Sequence, residues 1–155
     1  MVTDITPTEC QTCIRFATAS DLPRIMEIDR LSFPSPWDAG NFEAALQDLF
    51  FVYEEKEITG FLIACQCKLA NKAVVMKIAV HPEHQGKGIC SLLIKTALDN
   101  LLKINIKDVE LDVDVVKNGA IRLYERFGFK CMHVVSLDSE ENDSFYMMKL
   151  DMDKE

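Results

Sequence analysis

The chain has 155 residues, 48% of them hydrophobic and 27% charged, and a formal net charge of -8. That length supports one full core and is short for two ordinary domains, so a single domain over 1–155 is expected, with an ordered core over about 13–150. The negative balance argues against nucleic acid or an anionic membrane surface as partner and favours amines and basic peptides.

Residues 13–17 read as a strand. Ser20-Asp21-Leu22-Pro23 then reads as a helix start, with Ser20 as cap, proline in the first turn, and Ile25, Ile28 and Leu31 continuing at helical spacing. Phe33-Pro34-Ser35-Pro36-Trp37 breaks that helix, and Asp38 is placed to cap a second one carrying Phe42, Ala45, Leu46 and Leu49. Next come strands over 50–54, 61–67 and 74–80, the first two joined by a polar turn through Gly60, as an antiparallel meander. A helical pattern from near Lys87 carries Ile89, Leu92, Leu93, Ala97 and Leu101 on one stripe. A strand over 107–115 follows, then a helix over 119–127 ended by Gly128, and strands over 129–135 and 144–150 joined by an acidic turn. The order β-α-α-β-β-β-α-β-α-β-β implies a mixed α/β sheet with helices on both faces and frayed ends over 1–10 and 151–155.

No run reaches the length of a transmembrane helix, and Asp4 and Glu9 stand where a signal peptide needs an apolar core, which points to the cytoplasm. Six cysteines there read as reduced thiols, buried by default. Cys10 and Cys13 form a lone CxxC and Cys65 and Cys67 lie two apart, but no histidine or second CxxC completes a ligand set, so no metal is expected.

The run Val80-His81-Pro82-Glu83-His84-Gln85-Gly86-Lys87-Gly88-Ile89-Cys90-Ser91 joins a strand to a helix. Glycines let backbone approach a ligand without a Cβ, and the amides opening a helix face anions, so a phosphate-bearing cofactor is expected here. A Walker loop is excluded because Gly88, not Ser or Thr, follows Lys87, and a Rossmann fingerprint because Ser91 replaces its third glycine.

With this turn after the fourth strand and Leu123-Tyr124-Glu125-Arg126-Phe127-Gly128-Phe129 after the fifth, the chain resembles the GNAT N-acetyltransferase superfamily over nearly its whole length. The family's Gln/Arg-x-x-Gly-x-Gly/Ala run is here Gln85-Gly86-Lys87-Gly88-Ile89-Cys90, departing only at Cys90. The resemblance implies a mostly antiparallel seven-stranded sheet and acetyl-coenzyme A as donor. It places the pyrophosphate on amides of Gly86, Lys87, Gly88, Ile89, Cys90 and Ser91, and the pantetheine arm along Ile78, Ala79 and Val80, as an extended arm adds to a sheet. Lys87 either adds charge or stays solvated.

Within the superfamily, Leu31-Ser32-Phe33-Pro34-Ser35-Pro36-Trp37, Leu111-Asp112-Val113 and Ala120-Ile121-Arg122-Leu123-Tyr124 look most like the ribosomal-protein-alanine N-acetyltransferase branch, which acetylates protein N-termini. Its general base and acid fall on Asp112 and Tyr124, with aspartate one carbon shorter than the branch's glutamate and a water to span the gap. Lys117 falls on a cofactor-contacting asparagine, and Asn118 one residue on takes its place. Phe33, Pro36, Trp37 and Asp114 are the expected acceptor contacts. The branch's paired-tyrosine stretch is absent from the last loop, Ser136 to Asp143.

The chemistry is consistent with these types. An α-amine of pKa ~8 loses its proton at pH 7 for about 1 kcal/mol, against about 4.6 for lysine near ~10.4, so an N-terminal amine is the easier acceptor. Tyrosine near ~10 is neutral at pH 7 and close enough to a thiol near ~8.5 to serve as proton donor to the departing thiolate. Read from the residues alone, Tyr124 is either that acid or a core tyrosine beside Phe127, and Glu110, Asp112 and Asp114 form either an ammonium-attracting face or a solvated one. A backbone amide over 78–80 is the expected carbonyl polariser. The expected partner is an amine acceptor, a peptide N-terminus or else a small polyamine or amino sugar; the rival class is a non-catalytic acyl-coenzyme A sensor. The chain is expected as a monomer or homodimer.

Overall fold

The computed structural model of the chain describes residues 13–67, 69–136 and 144–153. Its elements in chain order are β1 (Ile14–Phe16), α1 (Leu22–Ser32), α2 (Ala39–Ala45), β2 (Leu49–Glu54), β3 (Ile58–Cys67), β4 (Lys72–Val80), α3 (Ile89–Lys103), β5 (Asp108–Asp114), α4 (Asn118–Arg126), β6 (Lys130–Ser136) and β7 (Ser144–Asp151). The strands form one seven-stranded sheet in the order β1-β2-β3-β4-β5-β7-β6. β1 with β2, β2 with β3, β5 with β7 and β6 with β7 are antiparallel, whereas β4 and β5 are parallel, so α3 is the crossover between them.

The described residues divide into two compact units, one of those up to Cys65 with Met76–Asn100, the other of those within Gln66–Val75 and from Leu101 onward. In the first, both faces of the β2–β3 ladder are covered. Phe50 pairs with Ile63 and Val52 with Phe61, and these four pack with Leu22, Ile25 and Ile28 of α1 and Phe42 and Ala45 of α2. On the other face Tyr53 pairs with Gly60, where an added Cβ would stand 3.1 Å from Ile89 and 3.3 Å from Leu93 of α3. Helices therefore lie on both faces here, which explains why β2 is buried along its length rather than alternating.

In the second unit, Val109 pairs with Leu150 and Leu111 with Met148, giving one buried apolar face. Gly128, in the left-handed region at φ +102, ends α4 against Leu150, to which a Cβ would approach within 3.0 Å. Glycine at this helix exit is thus needed for both conformation and space. β6, at the sheet edge, is exposed over most of its length.

Several local expectations are corrected. Ser20 is not the helix cap: it lies inside a 3₁₀ turn, Ala19–Asp21, that leads into α1. The Asp21 carboxylate accepts from the Thr18 amide at 2.7 Å and from Arg15 at 2.9 Å, and those bonds to Arg15, with help from Thr18, outweigh burial and hold its carboxyl at about 2. Asp38 does cap α2, accepting from the Asn41 amide at 2.8 Å. Leu49 belongs to β2 rather than α2, which ends at Ala45. Gly60 is not in a turn but in β3, where its missing side chain admits α3. Asp151 completes β7, so only the last residues of the expected frayed end lie outside the described residues, as do 1–10 and the expected acidic turn within 137–143.

Candidate active site

The turn between β4 and α3 has the geometry that its glycines foretell. Gly86 and Gly88 both sit at φ +83, and no atom lies within 4 Å of where either Cβ would be. The Leu92 amide donates to the Gly88 carbonyl at 3.1 Å, so α3 is wound from Gly88, and the amides of Ile89, Cys90 and Ser91 precede its first internal hydrogen bond. The Gln85 side chain donates to the Val80 carbonyl at 3.1 Å, tying the turn back to the end of β4, and Lys87 is exposed. Burial pushes the Cys90 thiol up to about 11, so it stays neutral at a helix end that would otherwise favour a thiolate. A neutral group leaves that positive end to an incoming anion.

The strand residues expected to hold the pantetheine arm lie just before this turn. β4 pairs with β5 through Lys72 to Val75, and Ile78, Ala79 and Val80 come after that register, with the His81 amide donating to the Thr59 carbonyl of β3 at 2.7 Å. Ala79 and Val80 are buried and Ile78 is half-buried.

In the second unit, Asp112 is exposed, on the ladder face opposite buried Leu111 and Val113. Its two acidic neighbours on that face are engaged: Glu110 accepts from Lys72 at 3.0 Å, and Asp114 accepts from the Val116 amide at 3.1 Å, bracing the turn into α4. Asn118 is exposed at the first turn of α4. Tyr124 is buried, its ring edge-on to Phe129 with centroids 6.0 Å apart. The end of α4 lies on the Leu150 face, so Asp112 and that helix end occupy opposite faces of the ladder.

The acceptor candidates Phe33, Pro36 and Trp37 stand on the elbow between α1 and α2. Pro36 is exposed, and the rings of Phe33 and Trp37 are half-buried against the first unit's core. Trp37 lies tilted on Phe42, with centroids 5.3 Å apart.

A family model described as acetyltransferase (GNAT) family matches residues 22–129, which take in the elbow, the glycine turn, Asp112 and Tyr124. The chain belongs to the GNAT acetyltransferase family. It is 28% identical over 150 residues to an N-alpha-acetyltransferase of Sulfurisphaera tokodaii, covering 87% of this chain and 90% of that one. It is 31% identical over 114 residues to a [ribosomal protein bS18]-alanine N-acetyltransferase of Haemophilus influenzae, covering 72% and 76%. The structure of the ribosomal-protein-S18-alanine N-acetyltransferase from Escherichia coli superposes with a TM-score of 0.81 at 23% identity, covering 90% of this chain and 92% of that one.

As a GNAT enzyme the chain is an acyltransferase with acetyl-coenzyme A as donor. The turn fits a pyrophosphate: two left-handed glycines without crowding, the opening amides of a 15-residue helix, and an uncharged thiol at the position where this chain departs from the family run. Among the described residues, no group of three or more His, Cys, Asp or Glu is placed to hold a metal, no disulfide is formed, and no helix is long and apolar enough to cross a membrane. Cys10 of the CxxC lies outside the described residues.

Two residues escaped the sequence reading. Asp29 is fully buried in α1, and Lys77, almost fully buried in β4, contacts it at 2.6 Å. The signals were present: Asp29 sits four residues after Ile25, on the buried stripe, and Lys77 interrupts the otherwise apolar run from Val74 to Val80.

Proposed function

We propose that this enzyme transfers acetyl from acetyl-coenzyme A to the α-amino group of a protein or peptide N-terminus by direct attack. The observation that carries the acceptor class is the likeness to an N-alpha-acetyltransferase across 87% of the chain. When bound, the donor supplies an acyl carbon activated by its thioester. The amides of Gly86 to Ser91 hold the pyrophosphate, with Gln85 fixing the turn and Lys87 available to the same charge. Backbone groups of Ile78, Ala79 and Val80 orient the pantetheine arm, and an amide there polarises the carbonyl.

As the amine nitrogen bonds to the acyl carbon, the carbon–sulfur bond breaks and two protons move. The hydroxyl of Tyr124 gives its proton to the departing sulfur; Asp112, on the opposite face of the β5–β7 ladder, takes through water the proton that the amine loses. Asn118 contacts the cofactor, and Phe33, Pro36, Trp37 and Asp114 receive the acceptor. A polyamine acceptor is the weaker reading, because Glu110, beside Asp112 on the acidic face, already pairs with Lys72.

The test is a panel of peptide N-termini, polyamines and amino sugars assayed for release of free coenzyme A. Turnover on peptides is the expected result, and turnover on polyamines alone would overturn it. Tyr124→Phe is expected to lower kcat by about 10²-fold or more. Unchanged turnover would remove the acid role, and donor binding without turnover on any amine would favour the sensor.

A further inference from the structure

Lys77 and Asp29 are buried ionisable groups to which the proposed chemistry gives no task. The contacts around them are specific. One carboxylate oxygen of Asp29 accepts from the Lys77 ammonium at 2.6 Å, and the other accepts from the backbone amide of Trp37 at 2.8 Å. The same ammonium lies 3.9 Å from the centre of the Phe33 ring and 5.2 Å from that of Trp37. A single charge pair therefore touches both aromatic residues of the elbow and its backbone.

Stability alone does not account for this. Desolvating two charges offsets much of their attraction, and well-packed apolar replacements of buried ion pairs are often neutral or stabilising. What the pair does provide is position. An apolar contact between ring and strand tolerates sliding, whereas a carboxylate shared between an ammonium and an amide, with the ammonium against two ring faces, defines one arrangement. Lys77 immediately precedes Ile78, so the elbow is keyed to the strand segment assigned to the donor.

We propose that Lys77 and Asp29 are positioning residues that hold the Phe33–Trp37 elbow in register with β4 and thereby set the affinity for the acceptor amine. This rests on the elbow being the acceptor contact in the proposed function. The substitutions of choice are Lys77→Met, which keeps length without charge, and Asp29→Asn, which retains an acceptor for the Trp37 amide. Trp37 is the chain's one tryptophan, so its fluorescence reports the elbow independently of activity.

In the full-length enzyme, Lys77→Met is expected to raise the acceptor KM about tenfold while leaving the KM for acetyl-coenzyme A within about twofold. Trp37 emission should shift, and iodide should quench it more readily. Asp29→Asn should show a smaller change in the same direction, and Lys77→Arg should recover part of the acceptor affinity. Equal rises in both KM values would overturn the proposal, as would an altered Trp37 signal with unchanged acceptor KM, or an altered KM with an unchanged signal. If the wild type acetylates only non-peptide amines, the peptide reading fails, and the same KM comparison on the amine that reacts decides the clamp.

Discussion

Cys90 shows how two local effects compete on one side chain. A helix N-terminus lowers a thiol's pKa, and burial raises it; here burial prevails, at about 11. The folded thiol therefore loses its proton only well above neutral pH, and the thiolate fraction falls tenfold for each pH unit below that point. Cys67 and Cys131 are exposed and serve as internal references. At pH 8, iodoacetamide is expected to alkylate Cys90 at least about tenfold more slowly than either, even allowing for the greater intrinsic nucleophilicity of a high-pKa thiolate. Peptide mapping over time checks this, and equal labelling would show that the helix end governs Cys90 after all. The identity of residue 90 was legible in the sequence as a departure from the family run; its neutrality was not, because it depends on burial.

At the scale of elements, legibility followed the range of the interactions. Asp38 and Gly128 were readable because a cap and a left-handed exit are local chemistry. Gly60 was not, since a lone glycine in a polar stretch looks like a turn until α3, far along the chain, is seen packing on it. Leu49 continued a helical stripe on paper, but pairing with Ala64 of β3 drew it into the sheet. Conformation also separates two glycines that look equally open. Neither Gly88 nor Gly119 has an atom within 4 Å of the place where an alanine methyl would stand, yet only Gly88 is left-handed. Gly88→Ala is expected to cost about 1–2 kcal/mol. Gly119→Ala, inside α4, is expected to gain about 0.5–1 kcal/mol. Urea denaturation of both variants checks the signs, and a destabilised Gly119→Ala or a neutral Gly88→Ala would contradict the assignment of the turn.

For the whole molecule, the order of elements was legible because each boundary carries its own signal, whereas the Lys77–Asp29 pair joins residues 48 apart and needs the fold to be seen. The same separation of local from global applies to charge. The chain carries a formal charge of -8, and coenzyme A is a polyanion, so the mean field opposes donor binding. Affinity must then come from short-range contacts, and the glycine turn offers backbone amides with Lys87 as the one lysine or arginine in its run. A site built on a basic patch would lose affinity steeply with salt. Here screening acts on repulsion at long range as well as on Lys87 nearby, and the two effects oppose each other. Calorimetric titration with coenzyme A between about 50 and 300 mM salt, concentrations at which the Debye length falls from roughly 14 to 6 Å, is therefore expected to move Kd by less than about threefold. A weakening of about tenfold or more would mean that side-chain cations, rather than the turn's amides, hold the pyrophosphate.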